Sequence, residues 1–371
     1  MAADGGDLGS FVEEVVGEGR IRVEDDLGDG YVRLRSSEAQ RRQAAQDIRC
    51  TEDVVIELLR NSRDAGARNV FLALSREGSS RRVVVLDDGE GVPERLHERV
   101  FEPRVTSKLD TMREDKWGVH GRGMALYSIS VNAVSARIVA SAKGRGCALL
   151  VATDLESLGE KADQSSFPRF ERADSGVVAV RGPRHILRTA CEFVLETSKS
   201  CTLYVGSPAE VASTLYALGR CELDPHELAF CRDPEELPVT RRLSLAVDAQ
   251  DLARAAASVG LELSERTARR ILDSEIDPLA PLASRIAREI AGEGRSAQTT
   301  DAASRNAHAP DRAAHDARGL KIDDDDLARF SNRVAAAFSD LARDYYLDPA
   351  VEPRVRVSKD ELRVSIPVVK L

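Results

Sequence analysis

Residues 54–67 read VVIELLRNSRDAGA and residues 85–93 read VLDDGEGVP. In the first stretch Val55, Leu58, Leu59 and Ser62 share one face of a helix, and Glu57, Asn61 and Asp64, at i, i+4 and i+7, share another. A carboxylate, a neutral oxygen donor and a second carboxylate in one row suit a nucleotide pocket. Asn61 offers an oxygen to Mg²⁺ and Glu57 sits one turn away as a base. A solvated helix face carries the same kind of stripe. In the second stretch Asp87 ends a strand, where it can accept a hydrogen bond, and Gly89 and Gly91 let the backbone turn tightly beside a ligand. A plain turn has this composition too.

A third stretch, WGVHGRGMALYSIS at 117–130, places Gly118, Gly121 and Gly123 at the start of a helical pattern. Free amides and the helix dipole favour phosphate at such a terminus. Each signal alone is common, but their order, spacing and settings together are not.

The three stretches resemble the N, G1 and G2 boxes of the gyrase, heat-shock chaperone, histidine kinase and MutL (GHKL) ATPase superfamily, over roughly residues 30–155. The resemblance implies a Bergerat-type α/β sandwich with ATP and Mg²⁺ bound between helices and sheet under a mobile lid. Carried over by residue, Asn61 ligands Mg²⁺, Glu57 activates the attacking water, Asp64 supports the nucleotide through water, and Asp87 accepts the adenine amino group. Gly89 and Gly91 shape the adjoining turn, while Gly118, Gly121 and Gly123 hinge the lid and present amides to the phosphates. FEPRVTSK at 101–108 is similar to lid segments of histidine kinases and MutL, which makes Thr106, Ser107 and Lys108 phosphate-side contacts. No clear counterpart of the glycine-threonine strand that closes the pocket in many members stands out; Thr202 in CTLYVG is a poor candidate. Further on, LELSERTARRILDSEIDPLAP resembles the helix-two-turns-helix insert of the B subunit of type IIB topoisomerases.

Local patterns around the boxes predict an α+β sandwich, a mostly antiparallel sheet with helices on one face. Thr51 is placed to cap a helix through Ala65, with Gly66 after its end. NVFLAL and RRVVVL read as strands joined through REGSS, Gly121 to Ala133 as a helix, and VSARIVASA and CALLVATD as a hairpin around KGRG. Helices are expected near 184–197 and 208–219, and 248–290 reads as wholly helical, Gly260 ending one helix and Ser264 capping the next. The expected organisation is an ATP-binding domain over 1–240, a helical module over 241–290, a flexible linker over 291–326 and a C-terminal helix plus β-hairpin over 327–371 turning at Lys359-Asp360.

Composition bounds the partners. With 371 residues, 42% hydrophobic, 31% charged and a net charge of -9, the chain reads as a globular protein whose charge does not indicate DNA. Residues 241–290 balance eight arginines with eight acidic residues, which favours a protein-contact or structural role. The six cysteines form no C-x-x-C pair, and Cys221, His226 and Cys231 are spaced too widely for a zinc site, so the thiols read as packing residues. No apolar run approaches a membrane span and MAADGGDLGS is not a secretory signal, so a cytoplasmic protein without membrane contact is expected. The expected activity is Mg-dependent ATP binding and hydrolysis that moves a lid or clamp and acts on a protein partner or a second copy. Two alternatives stand beside it. One is a histidine-kinase-type enzyme acting on a separate acceptor, since residues 1–96 hold no histidine; the other is a non-hydrolysing ATP sensor.

Overall fold

Residues 70–73 and 83–86 are apolar without interruption, and successive strand side chains face opposite ways, so a sheet built from them needs cover on both faces. The computed structural model shows that arrangement. It describes residues 23–107, 113–120, 123–161, 164, 166–172, 178–197, 200–223, 231 and 233–291, with separate positions between 330 and 366. The described residues divide into two units, Met1–Glu293 and Gly294–Leu371.

In the first unit, β1 (Val23–Gly28) and β2 (Tyr31–Leu34) precede helices α1 (Glu38–Asp47) and α2 (Thr51–Asp64). Strands β3 (Asn69–Glu77) and β4 (Ser80–Asp87) follow, then the short β5 (Val105–Thr106), the hairpin β6 (Arg113–Asp115) and β7 (Gly118–His120), and helix α3 (Ala125–Asn132). Next come β8 (Ser135–Ser141), β9 (Cys147–Asp154), the ribbon β10 (Arg169–Arg172) and β11 (Val178–Arg181), α4 (Ile186–Thr197), β12 (Thr202–Gly206) and α5 (Pro208–Glu222). Helices α6 (Ala249–Ser258), α7 (Glu265–Leu272) and α8 (Leu282–Ala291) complete the unit. The central sheet runs β12-β3-β4-β9-β8, with β12 parallel to β3 and the other pairs antiparallel.

One face of this sheet presents Val70, Leu72, Val83, Val85, Leu149 and Val151 to Val55, Leu58 and Leu59 of α2, Ile129 of α3 and Phe193 of α4. Each fully buried leucine or valine there contributes roughly 1.5–3 kcal/mol. The alternate residues Phe71, Ala73, Val84, Leu86, Ala148 and Leu150 face Leu215 of α5, Leu252 and Ala256 of α6 and Ile271 of α7. The helices of the 30–155 core thus lie on one face, as the sequence suggests, joined there by α4 and α8, and α5, α6 and α7 cover the other. Residues 241–290, read as a following module, therefore share the core of the sheet.

Three local readings change. Helix α2 starts at Thr51 with Cys50 as a cap that makes no side-chain bond; the Thr51 hydroxyl turns instead to the Leu158 carbonyl. Helix α3 begins only at Ala125, because Gly123 takes φ +68 and Gly118–His120 pair as a strand. Between 273 and 281 the chain leaves the helix, where Pro278 and Pro281 lack the N–H a helix interior needs. Gly260 and Ser264 do end one helix and cap the next, Ser264 Oγ accepting from the Thr267 amide at 3.1 Å.

The D-x-G-x-G loop after β4 is fastened on two sides. The Glu90 amide donates to the Ala65 carbonyl at 2.9 Å, and the amides of Gly144 and Gly146 donate to the carbonyls of Glu90 and Gly89. This close approach leaves no room for Cβ atoms: one on Gly91 meets the Ala142 carbonyl at 2.1 Å, and one on Gly146 meets the Asp87 carbonyl at 2.1 Å. In the second unit, β13 (Arg354–Val357) and β14 (Leu362–Ser365) form an antiparallel hairpin, Val357 opposite Leu362. All but the first residue of the 291–326 linker lies outside the described residues, and no described helix is long and apolar enough to cross a membrane.

Gly144 and Gly146 separate backbone strain from crowding, since both take positive φ but only Gly146 is enclosed. Gly144→Ala is expected to lower stability by about 1 kcal/mol, and Gly146→Ala by roughly 2 kcal/mol or more because the backbone of Asp87 must move. Urea unfolding of the two variants checks this; equal losses would contradict the docking of the loop.

Candidate functional site

Helix α2 has its apolar face on the sheet, so its polar face looks outward onto a cleft of about 630 Å³. That volume suits a nucleotide-sized ligand. Glu57, Asn61, Asp64, Asp87, Gly91, Thr106, Ser107 and Gly123 all line it. Lys108 and Gly121 lie outside the described residues, as does His226, and Gly118 opens β7.

Asp87 is buried at the end of β4. Ser62 Oγ donates to its Oδ2 at 2.7 Å and the Gly89 amide to its Oδ1 at 3.0 Å. A carboxylate offers about four lone-pair sites, so the group still accepts from a ligand amine. Burial pushes its carboxyl up to about 6, against the lowering by Ser62 and Gly89 and with the Asp88 charge adding to the rise. Asp88 is spent on structure, accepting from the amides of Arg68 and Asn69 at 2.7 and 2.8 Å. Gly89 serves the same fastening, since a Cβ there meets the Ala65 carbonyl at 2.7 Å.

One turn before Ser62 on the same helix, Glu57 accepts from Arg60, and Asp64 accepts from Arg63 Nε at 3.1 Å. The Asn61 Nδ2 is buried and has no partner among the described residues. A buried amide donor without a partner costs about 1–3 kcal/mol, and here it lies on the wall of a cleft where a ligand oxygen can meet it. Thr106 belongs to β5, paired with Val32 of β2, and the neighbouring Ser107 hydroxyl meets the Tyr31 hydroxyl, whose pKa burial raises. Gly123 is packed under this segment: its carbonyl accepts from the Arg104 amide at 2.8 Å, and a Cβ on it meets the Val105 carbonyl at 2.9 Å. Of the two cations near the glycine stretch, Arg122 lies outside the described residues and Lys116 is engaged by Glu192 at 2.7 Å.

Sequence reasoning missed Cys147. In the β4–β9 ladder it stands directly opposite Asp87, following Gly146, and it lines the cleft. Burial, then the Asp87 charge, push its thiol pKa up, so it acts here as a small wall residue rather than as a nucleophile. Gly146-Cys147 thus borders the cleft at the start of β9, beside the Asp87 loop. Thr202 instead pairs with Asn69 on the β12 edge of the sheet. The available signal was the glycine opening CALLVATD directly after a hairpin turn.

The raised Asp87 carboxyl gives a signed expectation. Folded Asp87 keeps its proton up to about 6 and an unperturbed aspartate only to 3.8, so its contribution favours folding below 3.8 and is lost as pH rises through about 6. Asp87→Asn removes that dependence. The stability of the variant relative to the nucleotide-free parent is expected to move in the variant's favour by about 1–3 kcal/mol between pH 4 and pH 7. Urea titrations across that range check it, and a flat difference would contradict a buried, ionising Asp87.

Comparison with known proteins follows the same outline. The family described as "Histidine kinase-, DNA gyrase B-, and HSP90-like ATPase" matches residues 48–170. Among curated proteins, the DNA mismatch repair protein MutL of Parabacteroides distasonis is 32% identical over 124 residues, 32% of this chain and 20% of the relative. MutL of Thermus thermophilus is 42% identical over 105 residues, 27% of this chain and 18% of the relative, and MutL of Thermus aquaticus 47% over 79 residues, 21% and 14%. The match therefore spans about a fifth or less of the length of these relatives. Residues 48–170, which match this ATPase family, supply the helix, the Asp87 loop and the facing strands of the cleft.

Proposed function

We propose that the chain binds ATP with Mg²⁺ in this cleft and hydrolyses it, and that the nucleotide closes the segment between Val92 and Gly118 to act on a protein partner or a second copy. The observation that carries the reading is the meeting, in one cleft, of a buried acceptor at Asp87 and an unmet amide at Asn61 with Glu57 one turn behind it. Asp87 accepts the adenine amino group, a role its remaining lone pairs allow. The Asn61 carboxamide supplies an oxygen to Mg²⁺ and a donor to a phosphate oxygen. Mg²⁺, when bound, neutralises charge on the phosphates. Glu57 takes the proton of the attacking water, and Thr106, Ser107 and Lys108, with the amides of Gly118, Gly121 and Gly123, hold the phosphate side. Positioning and electrostatics carry the rate, as in phosphoryl transfer generally.

The similarity to the mismatch repair protein covers about a third or less of this chain and a fifth or less of the relative, so the proposal takes over nucleotide-driven closure and not the repair pathway. The -9 net charge gives no support to DNA as the partner.

Incubation of the purified chain with γ-labelled ATP and Mg²⁺ tests the reading: label is expected as free phosphate. Label on an added acceptor protein would favour a kinase, and ATP bound without turnover a sensor. Glu57→Ala is expected to keep ATP binding and lose turnover on the order of 10²- to 10⁴-fold, whereas Asn61→Ala weakens Mg²⁺-dependent binding itself. Phosphate release by Glu57→Ala at the parent rate removes Glu57 from catalysis.

A further inference from the structure

Glu57 is not a free carboxylate on the cleft wall. Arg60, the next residue but two on α2, places Nη1 at 2.5 Å from Glu57 Oε1. The other edge of the same guanidinium is taken by Asp115: Nε donates to Oδ2 at 2.9 Å and Nη2 to Oδ1. Asp115 ends β6, 55 residues away in the chain, in the hairpin that precedes the last glycines of the third box. The Arg60 and Asp115 side chains are only 4% and 5% exposed and Glu57 20%, so the three charges form a nearly dry chain.

The hairpin is held where it can make this contact. The Trp117 amide donates to Asp115 Oδ1 at 3.0 Å, and its ring lies 5.6 Å from the Arg60 guanidinium and 4.5 Å from the Lys116 ammonium. Lys116 in turn reaches Glu192 on α4 at 2.7 Å, and Arg63 adds a second cation 3.6 Å from Asp115. A guanidinium gripped along one edge by a carboxylate has little rotational freedom left, so the Nη1 group at its other edge points in a fixed direction. In Arg60 that direction is the Glu57 carboxylate. A glutamate side chain has three rotatable bonds, and a base helps only when its oxygen is held within reach of the water proton.

We infer that Arg60 is a positioning residue for Glu57 and that Asp115 ties this alignment to the docked 113–120 hairpin, so the base is set only when the hairpin is in place. The inference rests on the reading of Glu57 as the base. Arg60→Gln and Asp115→Asn are expected to slow single-turnover ATP hydrolysis by about 10- to 10²-fold while changing the dissociation constant for Mg·ATP by no more than about twofold. Losses should not add: the double variant is no slower than Arg60→Gln, and Arg60→Gln slows a Glu57→Ala chain no further, because all three act through one carboxylate.

Circular dichroism and thermal unfolding show which variants fold. If a buried charge left alone prevents folding of the single variants, Arg60→Met combined with Asp115→Leu removes both charges together and is expected to fold and still turn over slowly. Folded Arg60→Gln, or the folded pair if the singles fail, hydrolysing at the parent rate overturns the inference, and so does weakened nucleotide binding at unchanged turnover, which makes Arg60 a ligand contact. A further loss on top of Glu57→Ala overturns it as well. Glu57→Ala hydrolysing at the parent rate sinks the base reading itself, an outcome distinct from slow Glu57→Ala beside fast Arg60→Gln.

Discussion

A carboxylate buried at the end of a strand must be surrounded by donors, and Asp87 dictates much of what lies around it. Donors reach it from opposite sides: the Ser62 hydroxyl from helix α2 and the Gly89 amide from its own loop. Together they fix the distance between helix and sheet at the deep end of the cleft. They leave the acid above its ordinary pKa, at about 6, which means that desolvation is only partly offset in the nucleotide-free protein. A ligand that donates to the remaining lone pairs meets a group that protein contacts alone leave underused.

Helix α2 carries three demands at once. Val55, Leu58 and Leu59 anchor it to the sheet, Ser62 reaches Asp87, and the Glu57, Asn61 and Asp64 face is turned into the cleft. A helix of 14 residues can satisfy all three only because its apolar stripe is continuous on one side, so that core burial holds the polar groups in register without involving them. The arginines between those polar residues, Arg60 and Arg63, are held in buried or half-buried ion pairs rather than left in solvent. Such pairs add little net stability but fix geometry, the property a catalytic surface needs.

The loops succeed through close backbone approach. Gly89, Gly91 and Gly146 each touch a neighbouring carbonyl at distances that exclude a side chain, and the loop after β4 is thereby locked between the C-terminus of α2 and the β8–β9 turn. Two of the glycines that read as ligand contacts therefore earn their place first as fastening for the cleft. Gly123 plays a similar part under Arg104–Thr106.

Much of this was legible along the chain. Helical spacing set Glu57, Asn61 and Asp64 on one face, the apolar runs with REGSS and KGRG between them gave the four antiparallel strands, and the strand end placed Asp87, because each of these depends on neighbours a few residues apart. Partners at long range were not legible. That Cys147 faces Asp87, that Thr202 sits at the β12 edge instead, that Asp115 grips Arg60, and that α5 to α7 cover the second sheet face follow from strand register and burial. Local propensity says nothing about which distant strand or carboxylate will arrive at a given position; that choice is made when apolar faces are paired and buried charges must find partners, and it exists only in the folded chain.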